Sequence, residues 1–190
     1  LAACASERCE AVDLGIVGDD HDALAARLGA GLEHDILLVT GGVSMGEHDL
    51  VDRVLRELGV ELHVESVAIK PGKPVWLARR SDKLILGLPG NPTSALVTAR
   101  LFLAPLLAGL GGRNVDDATA FRSWRLGGEL SASGDRESFV LARACAEAAI
   151  PLDDQSSAGQ RALAGADLLI RLPPHSRAFA SGDEVQALSF

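Results

Sequence analysis

Residues 35–49, DILLVTGGVSMGEHD, constrain this chain more than any other stretch. Ile36, Leu37, Leu38 and Val39 form a continuous apolar run, which suits a strand buried on both faces. Gly41 and Gly42 follow at once, and Gly46 comes four residues later. Glycine permits positive φ and the close approach of a ligand. A helix is expected from about Asp49 to Leu58, with Leu50, Val51, Val54, Leu55 and Leu58 along one side and Gly59 as its stop. In parallel sheets ligands bind at this end of the strands, and the positive pole of the helix favours an anion. The stretch therefore predicts an anion or nucleotide site, with Ser44, Glu47 and Asp49 at hand. Its glycine spacing matches neither G-x-G-x-x-G nor the P-loop pattern. A plain strand-to-helix turn remains open on this stretch alone.

The chain before it reads as a helix end over 1–9, a strand over Glu10 to Val17, and a turn at Gly18-Asp19-Asp20. Asp20 or Asp22 would cap a helix over about 22–32, with Leu24, Ala25, Leu28 and Leu32 inward. After it, Val60 to Ile69 reads as a strand running into Lys70-Pro71-Gly72-Lys73-Pro74. Val75 to Ala78 and Lys83 to Leu86 read as a hairpin. Gly87-Leu88-Pro89-Gly90-Asn91-Pro92 leads to a helix ending near Leu110, with Asn91 as N-cap and Pro92 at its first position. Alternating strands and helices predict an α/β layered domain with a mainly parallel sheet over 1–112.

Residues 113–120 are polar and read as a linker. Beyond them, short strands at Phe121 to Leu130, Glu137 to Ala144, Ala166 to Leu172 and Glu184 to Phe190 alternate with glycine, proline and serine turns. A helical turn fits within 156–165. Residues 121–190 are expected to form a small all-β domain.

The chain of 190 residues carries a net charge of −8, which argues against broad contact with nucleic acid or an anionic membrane. The longest apolar run, Ala95 to Leu110, is interrupted by Arg100 and Pro105 and is shorter than the roughly 20 residues of a membrane span. No signal peptide is visible. Cys4, Cys9 and Cys145 show no metal spacing and read as free thiols of a reducing, cytoplasmic compartment.

Lys70 and Lys73 share one stiff loop. Like charges held together call for an answering anion, phosphate or an oxyanion such as molybdate; a solvated loop is the alternative. Carboxylates that face phosphates commonly share Mg²⁺ with them, and Asp19, Asp20, Glu47 and Asp49 are the candidates. Asp19 and Asp20 serve equally as turn and cap residues, and Asp49 as a first-turn acid. Ser44 has no paired His and Asp, so a hydrolase triad is not expected.

TGGVSMGEHD, AIKPGKP and GLPGNPTSA, in this order and spacing, together resemble the molybdopterin molybdenumtransferase family, which includes the C-terminal enzyme domain of gephyrin. VDLGIVGDD fits the same family. The resemblance is strong over 1–112 and weaker over 113–190. It implies a three-layer α/β domain of the molybdenum cofactor biosynthesis type followed by a small β domain. It also implies insertion of molybdate into adenylylated molybdopterin, with Mg²⁺ and with release of AMP.

By position, the resemblance makes Asp20 and Asp49 acids near the metal and nucleotide. Lys70 and Lys73 become lysines facing molybdate and phosphate, with Asp49, Lys70 and Lys73 the catalytic set. Gly41, Gly42, Ser44, Pro89, Gly90 and Asn91 become loops that cradle the pterin nucleotide. The family's α/β domain opens with a further strand and an S-T-G-D-E-type turn, and two more N-terminal domains complete a homodimer. None of these is in the sequence, so the chain reads as a C-terminal fragment, able to bind and poor in turnover. The alternatives are a related molybdopterin adenylyltransferase or nucleotide pyrophosphatase, and a gephyrin-like scaffold, which 4% aromatic content supports poorly.

Overall fold

The computed structural model describes residues 9–42, 50–156 and 160–190. Packing divides them into two compact units. One comprises the described residues up to Val67 together with Pro74–Gly90; the other comprises Ala68–Lys73 and the described residues from Asn91 onward. The second unit thus takes in the lysine loop and the helix expected to belong to the α/β domain.

In the first unit, helix α1 (His21–Gly31) starts where the Asp20 side chain accepts the Ala23 N–H at 2.8 Å. Of the two caps the sequence offers, Asp20 and Asp22, the structure uses Asp20. Strand β1 (Ile36–Thr40) and helix α2 (Leu50–Glu57) follow, and α2 ends before Gly59 at φ 77°. Strands β2 (Glu61–Val64), β4 (Trp76–Arg80) and β5 (Lys83–Leu88) complete a four-stranded sheet in the order β1-β5-β4-β2. Only β1 and β5 pair in parallel; β4 pairs antiparallel with both β5 and β2. The expected mainly parallel sheet is mixed, because a tight hairpin can only join antiparallel strands.

Leu37, Ile85 and Ala78 lie in one cross-strand row and share a core with Leu24, Leu28, Val54 and Leu55 of the two helices and with Leu32 just past α1. Leu86 and Leu88, on alternate positions, are buried as well, as expected of a strand covered on both sides. Trp76 lies opposite Gly87, where any Cβ would sit 2.0 Å from its ring.

The strand expected over Glu10 to Val17 is absent. Leu14 and Val17 pack on the core, but the segment has no ladder and Ile16 is fully exposed. Alternating pattern alone makes no strand without a neighbour to pair with. The strand expected over 60–69 is likewise broken. Its first part is β2, and its last part, β3 (Ile69–Lys70), pairs in parallel with a strand of the other unit's sheet.

The second unit holds α3 (Pro92–Thr98), a π-helical turn (Ala99–Leu103) and α4 (Ala104–Leu110) as one rod. Pro105 explains the wide turn. It has no N–H to donate and crowds the carbonyl four residues back, and a five-residue hydrogen bond from Ala104 to Ala99 relieves the ladder. At 19 residues and mean hydropathy 1.6, Pro92–Leu110 is long and apolar enough to cross a membrane. A core helix passes the same test, and here Arg100 donates to Ser189 O and Ala118 O within its own unit. The stretch expected as linker carries α5 (Val115–Ala118), capped by Asn114, whose side chain accepts the Asp116 N–H.

Strands β6 (Arg122–Leu126), β7 (Glu137–Cys145), β8 (Ala148–Pro151), β9 (Leu168–Leu172) and β10 (Glu184–Ser189) close into a barrel, β7-β8-β6-β10-β9 and back to β7, with β3 beside β7. A short helix, α6 (Gln160–Ala164), lies between β8 and β9. Leu126, Ile170, Leu172 and Val185 fill the interior with Ala142, Ala149 and Ala187, small residues that let so few strands close.

Candidate functional site

Gly41 and Gly42 stand at the C-terminal end of β1, both at positive φ (77° and 60°). Pro89 and Gly90 stand at the same end of β5, its parallel neighbour. The Gly41 N–H donates to Leu88 O at 3.4 Å, and a Cβ on Gly90 would lie 3.3 Å from Gly41 Cα. The two loops therefore touch backbone to backbone, with no side chain between them. Four of the predicted cradle residues, Gly41, Gly42, Pro89 and Gly90, are brought together in the first unit. Pro89 is buried and Gly90 exposed, so the pair offers main chain to a ligand on a rigid base.

Asn91, Lys70 and Lys73 belong to the second unit. Asn91 takes the extended N-cap backbone, and its carbonyl accepts the Ala95 N–H; its side chain makes no capping bond, contrary to expectation. Lys70 and Lys73 are exposed on either side of buried Gly72. Among the described residues neither ammonium has an ion-pair partner. The base of this loop is tied to the barrel: β3 pairs with the start of β7, the Glu137 N–H donates to Ala68 O, and Arg136 Nη1 donates to Ile69 O at 3.4 Å. A guanidinium thus sits on the carbonyl just before Lys70, a third cation that the sequence reading missed. It lies 66 residues from Lys70 in the chain, and only the parallel β3–β7 pairing brings it there.

Asp20 reaches the structure as a cap, its carboxylate accepting from Ala23. Next to it, His21 bridges Asp22 at 3.0 Å and Glu57 at 2.7 Å, joining the start of α1 to the end of α2. The hydrogen bond to Asp22, then that to Glu57, raises its pKa above the ordinary histidine value. Ser44 and Asp49, with Glu47 and His48, lie outside the described residues. Among the described residues no three His, Cys, Asp or Glu side chains gather to hold a metal. Thr93 Oγ1, in the first turn of α3, is buried with no hydrogen-bond partner among the described residues, a feature no sequence pattern announces.

Glycine loops meeting at parallel strand ends suit a nucleotide, and two lysines on one loop, without an ion-pair partner among the described residues, suit an oxyanion. The class defined is an α/β unit whose glycine loops present main chain at parallel strand ends, followed in the chain by a barrel unit that carries the lysine loop. Residues 1–109 match the family described as a probable molybdopterin binding domain, and residues 124–190 match the MoeA C-terminal region (domain IV). The chain belongs to the molybdopterin-binding-domain family. It is 37% identical over 135 residues to a molybdopterin molybdenumtransferase of Nostoc sp., covering 69% of this chain and 31% of that protein. It is 34% identical over 178 residues to the enzyme of the same name from Synechocystis sp., covering 90% of this chain and 43% of that one. Among solved structures it resembles a molybdopterin biosynthesis moea protein from Pyrococcus horikosii, with a TM-score of 0.82, 27% identity, and coverage of 99% of this chain and 46% of that one. The chain thus spans less than half the length of these relatives.

Proposed function

We propose that this chain supplies part of the site at which molybdate is inserted into adenylylated molybdopterin with release of AMP, the last step of molybdenum cofactor assembly. The observation that carries the reading is the lysine loop. Lys70 and Lys73 are held on a rigid, barrel-anchored turn with no partner among the described residues, and Arg136 adds a third positive charge at its base. Keeping like charges together stabilises an anion that answers them, and lysines placed on the transferred oxyanion or on the leaving phosphate lower the cost of developing negative charge. In this reading Gly41, Gly42, Ser44, Pro89, Gly90 and Asn91 cradle the pterin nucleotide, and Asp49 acts with the two lysines in catalysis.

Mg²⁺ fits the donor set only in the manner usual for phosphate sites. Of the two proposed metal acids only Asp20 is described, and it already accepts one N–H, so Asp49, substrate phosphates and water would complete the shell. Bound there, Mg²⁺ would neutralise phosphate charge. A cytoplasmic location and a homodimer of the full-length protein belong to the same proposal, as do small-molecule partners to the exclusion of nucleic acid and membrane.

Calorimetric titration of adenylylated molybdopterin, with and without Mg²⁺, into this chain and into Asp49→Ala tests the reading. Mg²⁺-dependent binding weakened by the substitution is expected. Binding that ignores both Mg²⁺ and Asp49 would overturn the metal assignment, and the absence of binding would overturn the assignment of a site to this chain alone.

A further inference from the structure

Gly72, between the two lysines, is buried at φ 109°, in the left-handed region that favours glycine. A Cβ there would lie 2.3 Å from Thr98 Cγ2 and 3.2 Å from Ile69 Cδ1. Thr98 is fully buried on α3, and its hydroxyl donates back along the helix to Ser94 O at 2.7 Å, shared with Ala95 O at 3.1 Å. That bond selects one rotamer of a β-branched side chain. With Oγ1 turned to the helix backbone, the methyl is the atom against Gly72. The lysine loop therefore rests at its midpoint on one methyl group, and at its base on β7.

We propose that Thr98 is a positioning residue for the oxyanion-binding lysines: its methyl fixes the height of Gly72, and so the separation and aim of Lys70 and Lys73. The inference rests on the oxyanion reading above. The two groups of Thr98 have separate duties. The hydroxyl holds the rotamer and stabilises the helix, and the methyl seats the loop. Thr98→Ser keeps the hydroxyl and removes the methyl. Thr98→Val keeps a methyl toward Gly72 and removes the hydroxyl.

The test is calorimetric titration of molybdate, and separately of inorganic phosphate, into the unsubstituted chain, Thr98→Ser, Thr98→Val and Lys70→Ala/Lys73→Ala, with melting temperatures of all four. Thr98→Ser is expected to bind about threefold to tenfold more weakly, the scale of a misplacement well under an ångström. Thr98→Val is expected to bind within about twofold of the unsubstituted chain, although its melting temperature falls with the lost buried hydrogen bond. A merely structural residue would not separate affinity from stability in this way. Unchanged affinity in Thr98→Ser, or equal losses in Ser and Val, would overturn the positioning role while leaving the lysine site standing. Full binding by the double-lysine variant, or no binding by the unsubstituted chain, would overturn the oxyanion reading itself.

Discussion

Gly87 shows how one residue carries a packing decision. It lies opposite Trp76 on the neighbouring strand, and the indole occupies the space a Cβ would need. Gly87→Ala forces the ring or the strand to move, and overpacking of this kind costs about 1–3 kcal/mol. Urea denaturation should show that loss, and Trp76→Leu in the same chain should recover part of it, since the two sites are coupled by contact. Asp20 is the second informative residue, because two roles compete for it. Asp20→Ala removes the cap and should cost about 1 kcal/mol, whereas Asp20→Asn keeps a good capping acceptor and should cost a few tenths. Mg²⁺-dependent ligand binding should fall in both. If Asp20→Asn binds normally, the residue caps α1 and does nothing more.

Among the elements, those with local causes were legible in the sequence. The apolar run of β1, the Asp20 cap, the Gly59 stop and the β4–β5 hairpin each follow from residues within a few positions of one another. Elements with distant causes were not. Glu10 to Val17 has a strand-like pattern and no neighbour to pair with, so it is no strand. Strand β8, Ala148–Pro151, is rich in alanine and reads as nothing in particular; its register with β7 and β6 makes it a strand. The candidate site residues divide in the same way. The glycine and lysine loops were plain in the sequence, whereas Arg136 and Thr98 join the lysine loop through contacts spanning tens of residues.

One turn permits a pH prediction. Asp183, between β9 and β10, accepts from Arg177 at 2.8 Å and from the Ala180 N–H at 2.9 Å, and these bonds, Arg177 first, hold its carboxyl below the ordinary value of 3.8. A lowered folded value means the contribution is present above 3.8 and is lost as pH falls through the folded value. Asp183→Asn should therefore be less stable than the parent near neutral pH. Melting curves taken at successively lower pH should converge; a gap that stays constant into strong acid would assign the loss to geometry instead of charge.

Among the described residues one hydrophobic core lies under the mixed sheet and another inside the barrel. The chain also has two tryptophans, Trp76 buried in the first unit and Trp124 packed against the barrel core. Each unit thus carries its own fluorescent reporter. Separate cores favour separate cooperative transitions, and coincidence of probes is the standard test for a single one. Against separation stands the chain path. Residues 68–73 leave the first unit's sequence to lay β3 beside β7, and the chain then returns for β4 and β5. Each core buries its own apolar side chains, and residues 68–73 add a two-residue strand beside β7 within the second unit. Denaturation of Trp76→Phe and Trp124→Phe should therefore give different midpoints for the remaining tryptophan. Gly87→Ala, placed in the first unit, should lower the midpoint reported by Trp76 and leave that of Trp124 where it was. If both midpoints move together, the three chain crossings couple the units into one folding transition, and the lysine loop, which lies between two of those crossings, would be ordered only when both units are folded.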